Sequence, residues 1–224
     1  MAAIGALGLP ISQFVFSASS DRGYSFSKIL SLFAVGYLTF LIATLGLAPL
    51  AFPAIATALL AWAAINAFVF WRTRAHRLPL PRFSQILTTE LVFLSVCTAI
   101  VIIKAFHPEI YQIERFMDFG FIDTLRNSTG LPLTDLWLAG ETLNYYYMSH
   151  FIGFVILTLA GIPSVPGFFI LIGCIAGTLA AAIARLAIDV AVYITGGKEV
   201  LSRTTKFLVA GGSVFVAVFS GSWY

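Results

Sequence analysis

Phe151-Ile152-Gly153-Phe154-Val155-Ile156-Leu157-Thr158-Leu159-Ala160-Gly161-Ile162-Pro163 is the stretch that decides how this chain is threaded. The run 151–160 is apolar enough for lipid, yet it covers only about half of the ~20 residues that a helix needs to cross a bilayer. Gly161 and Pro163 then end the helix. Charge points the same way. If the run crossed the membrane, Arg185, Lys198, Arg203 and Lys206 would lie outside; if it lies along or dips into the outer interface, they lie inside, as the positive-inside rule expects. The segment 145–161 is therefore expected to be an interfacial or re-entrant helix within one large external element, residues 107–166.

Working outward, apolar runs of spanning length lie near 2–17, 29–48, 50–70, 86–106, 167–190 and 206–224. The fold class expected is an all-α membrane protein, a multi-pass bundle of about six spans forming a single domain over residues 1–224. Pro49 and Pro53 mark a tight hairpin between the second and third runs. Arg72, Arg74, Arg77 and Arg82 place the loop 71–85 on the cytoplasmic side, which sends His107 outside and leaves Asp21, Arg22 and Lys28 inside. The chain starts without a basic n-region and stops at Ser222-Trp223-Tyr224 within an apolar run, so it reads as an N-terminal portion of something longer.

Composition agrees. Hydrophobic residues make up 59% and charged residues 10%, with a mean hydropathy of +0.95, which excludes a soluble domain with a solvated surface. The net charge of +3 comes from basic residues in short inter-span segments, so nucleic acid is not a partner and membrane lipid is. Cys97 and Cys174 both fall in apolar runs and form no disulfide framework.

The polar residues of the chain concentrate at 107–150, where chemistry would need them. Glu114 and Asp118 are four apart, so a helix puts both carboxylates on one face, as a general base with a second acid beside it or as a site for a divalent cation. A solvated helix face, with Arg115 and Arg126 as ion-pair partners, is the commoner origin of that spacing. Asn144-Tyr145-Tyr146-Tyr147 with His150 points to a polar aromatic pocket, whereas an aromatic belt explains most interfacial tyrosines. On a helix Tyr146 and His150 would share a face, and His150 could stabilise a phosphate. Asp135, Trp137 and Glu141 lie between the clusters among Gly130, Pro132 and Gly140: Asp135 is a candidate N-cap, and Trp137 suits stacking on a sugar or anchoring at headgroups. Lys104 and His107 sit where they can snorkel or meet a lipid phosphate. Asn127-Ser128-Thr129 matches a glycosylation sequon.

Three ordered segments, Glu114-Arg115-Phe116-Met117-Asp118-Phe119-Gly120-Phe121, Asp135-Leu136-Trp137-Leu138-Ala139-Gly140 and Leu143-Asn144-Tyr145-Tyr146-Tyr147-Met148-Ser149-His150, together resemble the YYY family of large multi-pass membrane proteins, named for its tyrosine triplet and carrying a domain of unknown function. Asp21-Arg22-Gly23-Tyr24-Ser25-Phe26-Ser27-Lys28 fits the same pattern, so the resemblance runs from about residue 21 to the end. It departs from the family at Arg115-Phe116, Leu136 and Met148-Ser149, where Lys-Pro, Pro and Phe-Gly are usual. The resemblance implies kinship with the GT-C membrane glycosyltransferases, in which a large external loop carries an acidic residue at the active site. By that likeness Asp118 is the expected catalytic acid residue, with Glu114 second. Arg115, Lys104 and His150 would face the phosphate of a polyprenyl-phosphate sugar donor, and Asp135, Trp137, Glu141, Asn144, Tyr145, Tyr146 and Tyr147 would shape the sugar pocket. A transporter and a non-catalytic membrane scaffold are the competing readings; few ionisable residues fall at mid-depth of the runs, which counts against the transporter.

Overall fold

The computed structural model describes residues 1–73, 79–110, 113–196 and 201–220; Arg74, Arg77, Lys198, Trp223 and Tyr224 lie outside the described residues. Among those described, the chain is all helical apart from one isolated bridge between Thr134 and Thr142. Four helices are long and apolar enough to cross a membrane: α3 (Tyr24–Thr44), α4 (Phe52–Arg72), α5 (Phe83–Phe106) and α8 (Ser164–Ile194). Their outward faces carry exposed Phe33, Leu60, Phe68 and Leu91, the surface that lipid requires.

Four is fewer than the six that hydropathy predicts, and the difference arises at the ends. The first apolar run is broken into α1 (Ala2–Leu7) and α2 (Leu9–Val15), because Gly8 caps the one and Pro10 opens the other. Both pieces pack against α3. The last run forms α9 (Arg203–Phe219), capped by the Ser202 hydroxyl accepting from the Thr205 N–H, at 17 residues just short of spanning length.

The α3–α4 hairpin expected from Pro49 and Pro53 is present. Gly46 adopts φ +66°, and the Leu47 N–H reaches back to the Ile42 carbonyl (3.0 Å) while that of Gly46 reaches Ala43, a Schellman closure. Pro53 stands in the first turn of α4. The Leu50 N–H then donates to the Thr129 carbonyl (2.9 Å), which ties the hairpin to the segment following α6 (Ile113–Asn127). Leu133 and Leu143, from the bridged loop, join Ile42, Leu50, Phe121 and Phe151 in one core cluster.

The short apolar run forms α7 (His150–Ala160), which is enclosed by α3, α4, α6 and α8 with Phe151, Phe154, Val155 and Leu157 fully buried. Gly161 at φ +65° ends it, and the Ile162 N–H closes back on Leu157 (3.2 Å). The tyrosines before it lie in a loop, so the helical spacing that would put Tyr146 and His150 on one face does not apply.

The most extensive helix pairing is α5 against α8. It depends on Gly173 and Gly177, four apart on α8: a Cβ at Gly173 would stand 2.8 Å from the Cys97 carbonyl oxygen, and one at Gly177 would stand 2.5 Å from that of Phe93. Backbone cannot rotate away as a side chain can, so only glycine permits this approach. Gly177→Val is expected to cost about 1–3 kcal/mol through forced separation of α5 from α8. Denaturation in detergent measures it; unchanged stability would mean that the two helices slide apart freely.

Candidate functional site

Asp118 lies mid-way along α6, on the side that also carries Phe121, Ile122 and Leu125 into the core. Those three apolar residues fix how α6 lies on α7 and α8, and thereby point the carboxylate at the start of α7. There the Asp118 Oδ1 meets the His150 Nε2 at 2.9 Å. The two residues differ in exposure: the side chain of Asp118 is 45% exposed and that of His150 only 9%. A half-open carboxylate is thus held from beneath by a buried imidazole. With Oδ1 so engaged, no described residue donates to the outer oxygen, Oδ2. The His150 Nδ1 is buried with no hydrogen-bond partner among the described residues.

Phe121, three residues on from Asp118 and buried, organises the aromatic residues. His150 packs edge-on against its ring at 5.1 Å, Trp137 edge-on at 5.8 Å and Tyr145 at a tilt at 5.6 Å. Tyr145 and Tyr146 stack at 4.1 Å, and the Tyr145 hydroxyl donates to that of Tyr146 (3.0 Å). That bond comes first, ahead of burial and the charges of Glu114 and Asp118, in pushing the Tyr145 hydroxyl above its usual range, so it remains a donor at neutral pH. Tyr147 turns inward to stack on Phe151, and burial raises its hydroxyl too. The triplet therefore divides into an exposed stacked pair and one core residue.

The other expected residues are less concentrated. Glu114 is exposed in the first turn of α6, and its charge reaches Tyr145. Arg115 is half-buried and close enough for its charge to act on Lys104 at the end of α5. Asp135 caps a turn, its Oδ1 accepting from the backbone N–H groups of Trp137 (2.7 Å) and Leu138 (2.9 Å), so it orients Trp137 through the backbone. Glu141 and Asn144 are exposed on the loop; Glu141 contributes its carbonyl to the Asp135 N–H. Asp118 and His150 are two donors of the kind a divalent cation takes, and no described His, Cys, Asp or Glu completes a group of three with them.

Sequence reasoning missed Phe121, whose alignment with Asp118 at i,i+3 was the available signal. The solvated-face reading offered Arg126 as an ion-pair partner for the Glu114 and Asp118 carboxylates. Instead, Arg126 donates through Nη1 to the Ile162 carbonyl, and lies 3.5 Å from the Ser164 hydroxyl. The guanidinium thus satisfies a carbonyl where the chain turns from α7 into α8.

The site lies at the end of the bundle where the α3–α4 hairpin and the bridged loop meet. At the other end, Arg22, Arg82, Arg185 and Lys206 converge around one cavity. The chain matches no curated protein and no solved structure. Its residues 34–223, however, match one family across most of its length, and with the apolar helices just described they establish that this chain belongs to the uncharacterized membrane protein family DUF2298.

Proposed function

We propose that this chain carries the catalytic loop of a membrane glycosyltransferase that moves a sugar from a polyprenyl-phosphate donor to an acceptor hydroxyl, as its resemblance to the YYY proteins and, through them, to the GT-C enzymes implies. The observation that carries the reading is the Asp118–His150 pair, half-open to solvent and beside a stacked pair of tyrosines. The acceptor oxygen attacks the anomeric carbon, and its proton passes to Asp118 Oδ2. The anomeric C–O bond breaks with its electron pair leaving on the lipid phosphate, through a centre of oxocarbenium character. Lys104 and Arg115, neighbours in charge, are the groups for that phosphate. Both ring nitrogens of His150 face inward, one to Asp118 and the other to the protein interior, so His150 acts by positioning the carboxylate.

Tyr145, Tyr146 and Trp137 supply aromatic faces for the sugar, with Asn144, Glu141 and Asp135 nearby on the same loop. Glu114 is the alternative base. A divalent cation, if the donor brings one, would find the half-open Asp118 carboxylate. The segregation of Arg22, Arg82, Arg185 and Lys206 to the opposite end supports an orientation with residues 107–166 outside the cell membrane and the loop 71–85 in the cytoplasm.

The test is transfer of radiolabelled sugar from a panel of polyprenyl-phosphate donors in membranes holding the protein. Transfer that depends on Asp118 supports the reading; no transfer from any donor overturns it in favour of a transporter or scaffold.

A further inference from the structure

The end of the bundle remote from Asp118 holds a cavity of about 540 Å³ at which four basic residues meet from four separate segments: Arg22 from the α2–α3 connection, Arg82 just before α5, Arg185 from α8 and Lys206 from α9. Ser20 and Gln85 add polar groups, and no acidic residue is among the described lining residues. Like charges gathered at one cavity repel one another, and an anion bound among them would relieve that repulsion.

Asp189, which follows Arg185 by one helical turn, is already engaged. Asp189 accepts from the Ser19 hydroxyl at 2.6 Å, from the Ser20 hydroxyl, and from the Ser20 N–H at 3.3 Å. Arg185 comes no closer to it than 3.8 Å. Arg185 and Asp189 are thus a loose ion pair, and the buried Arg185 Nε makes no hydrogen bond of its own among the described residues.

The placement of Arg22 is also built. It is the one non-glycine among the described residues with positive φ, at +58°, and neighbouring Asp21 holds that turn by accepting from the Gly23 N–H (3.0 Å) and the Ser25 N–H (2.8 Å). A left-handed arginine is uncommon and persists only where its surroundings impose it.

We propose that this cavity binds a phosphate group, with the guanidinium groups of Arg185, Arg82 and Arg22 as its principal donors. Arginine suits phosphate because its planar fork offers parallel N–H donors. Leu80 and Ile188 line the remaining wall, which fits an amphiphile whose phosphate enters first. Since the cavity lies where α3 and α5 begin and α8 ends, an anionic lipid headgroup and a free phosphate are both sources of that chemistry. The inference does not depend on the transferase reading.

Native mass spectrometry of the chain, released from nanodiscs of equal phosphatidylcholine and phosphatidylglycerol, is the first arm. Melting of the chain in phosphatidylcholine nanodiscs with and without inorganic phosphate is the second. Preferential retention of phosphatidylglycerol identifies a lipid headgroup, whereas a rise in melting temperature with phosphate identifies a free anion. Arg185→Gln should weaken either effect about fivefold. Arg82→Gln, at an exposed position outside the Asp189 network, should do the same and serves as the check should Arg185→Gln fail to fold. Neither ligand favoured, or a preference that both variants retain, would overturn the proposal.

Discussion

With Asp118 replaced by asparagine, sugar transfer should fall by about 10²- to 10⁴-fold, the range that a positioned general base contributes. The substitution is chosen to separate chemistry from shape. Asparagine preserves the side-chain volume and an oxygen that can accept from the His150 Nε2, so α6 should stay docked on α7. What is lost is a group that can take a proton. His150→Gln should lower kcat with little effect on KM, because the imidazole holds the carboxylate and not the substrate. The double variant should be no slower than Asp118→Asn alone, since residues acting as a unit do not add. Full activity in Asp118→Asn, or additive losses in the double variant, would separate the pair from the reaction. Glu114→Gln is expected to leave transfer largely intact if Asp118 is the base.

The largest stability effect expected lies between α3 and α5. Lys28 is 2% exposed, and its ammonium sits 2.6 Å from the Glu90 Oε1 and 4.4 Å from the centre of the Phe93 ring. The Tyr24 hydroxyl also donates to Glu90, at 2.6 Å. Glu90→Leu would therefore leave a buried cation and a hydroxyl without their acceptor, at a cost of about 3–5 kcal/mol. Lys28→Met with Glu90→Leu removes both charges, and the apolar pair should recover most of that loss. Denaturation of Glu90→Leu, Lys28→Met and the double variant in detergent completes the cycle. A small cost for Glu90→Leu, or a double variant as unstable as the sum of the singles, would show that the charges are not coupled.

Much of the bundle was legible because lipid imposes length and hydropathy on whatever crosses it: α3, α4, α5 and α8 each contain or overlap an apolar run read from the sequence. The ends were harder. Gly8 and Pro10 divide the first run, and hydropathy averaged over a window gives a break in a helix no weight. Glu90 stands alone in an apolar run, and nothing local reveals that Lys28, far away in the chain, lies against it. At the candidate site, Glu114 and Asp118 do share a helix, but spacing could not show that Asp118 alone meets His150. The tyrosines misled because a triplet before an apolar helix looks like its first turn; the helix begins at His150 instead, which frees Tyr145 and Tyr146 to stack outside it.

The enclosure of α7 bears on how such a chain comes to be inserted. A helix of 11 residues cannot hold both its ends in water while its middle lies in lipid. It gains a stable place only once α3, α4, α6 and α8 surround it. On its own the segment is too short to span the bilayer, so it is expected to stay near the surface until α8, the next helix made, lies along it. Ordered assembly of this region is the expectation that follows, with the helix beginning at His150 settling after α8 and the Asp118 pairing forming as those helices close around it.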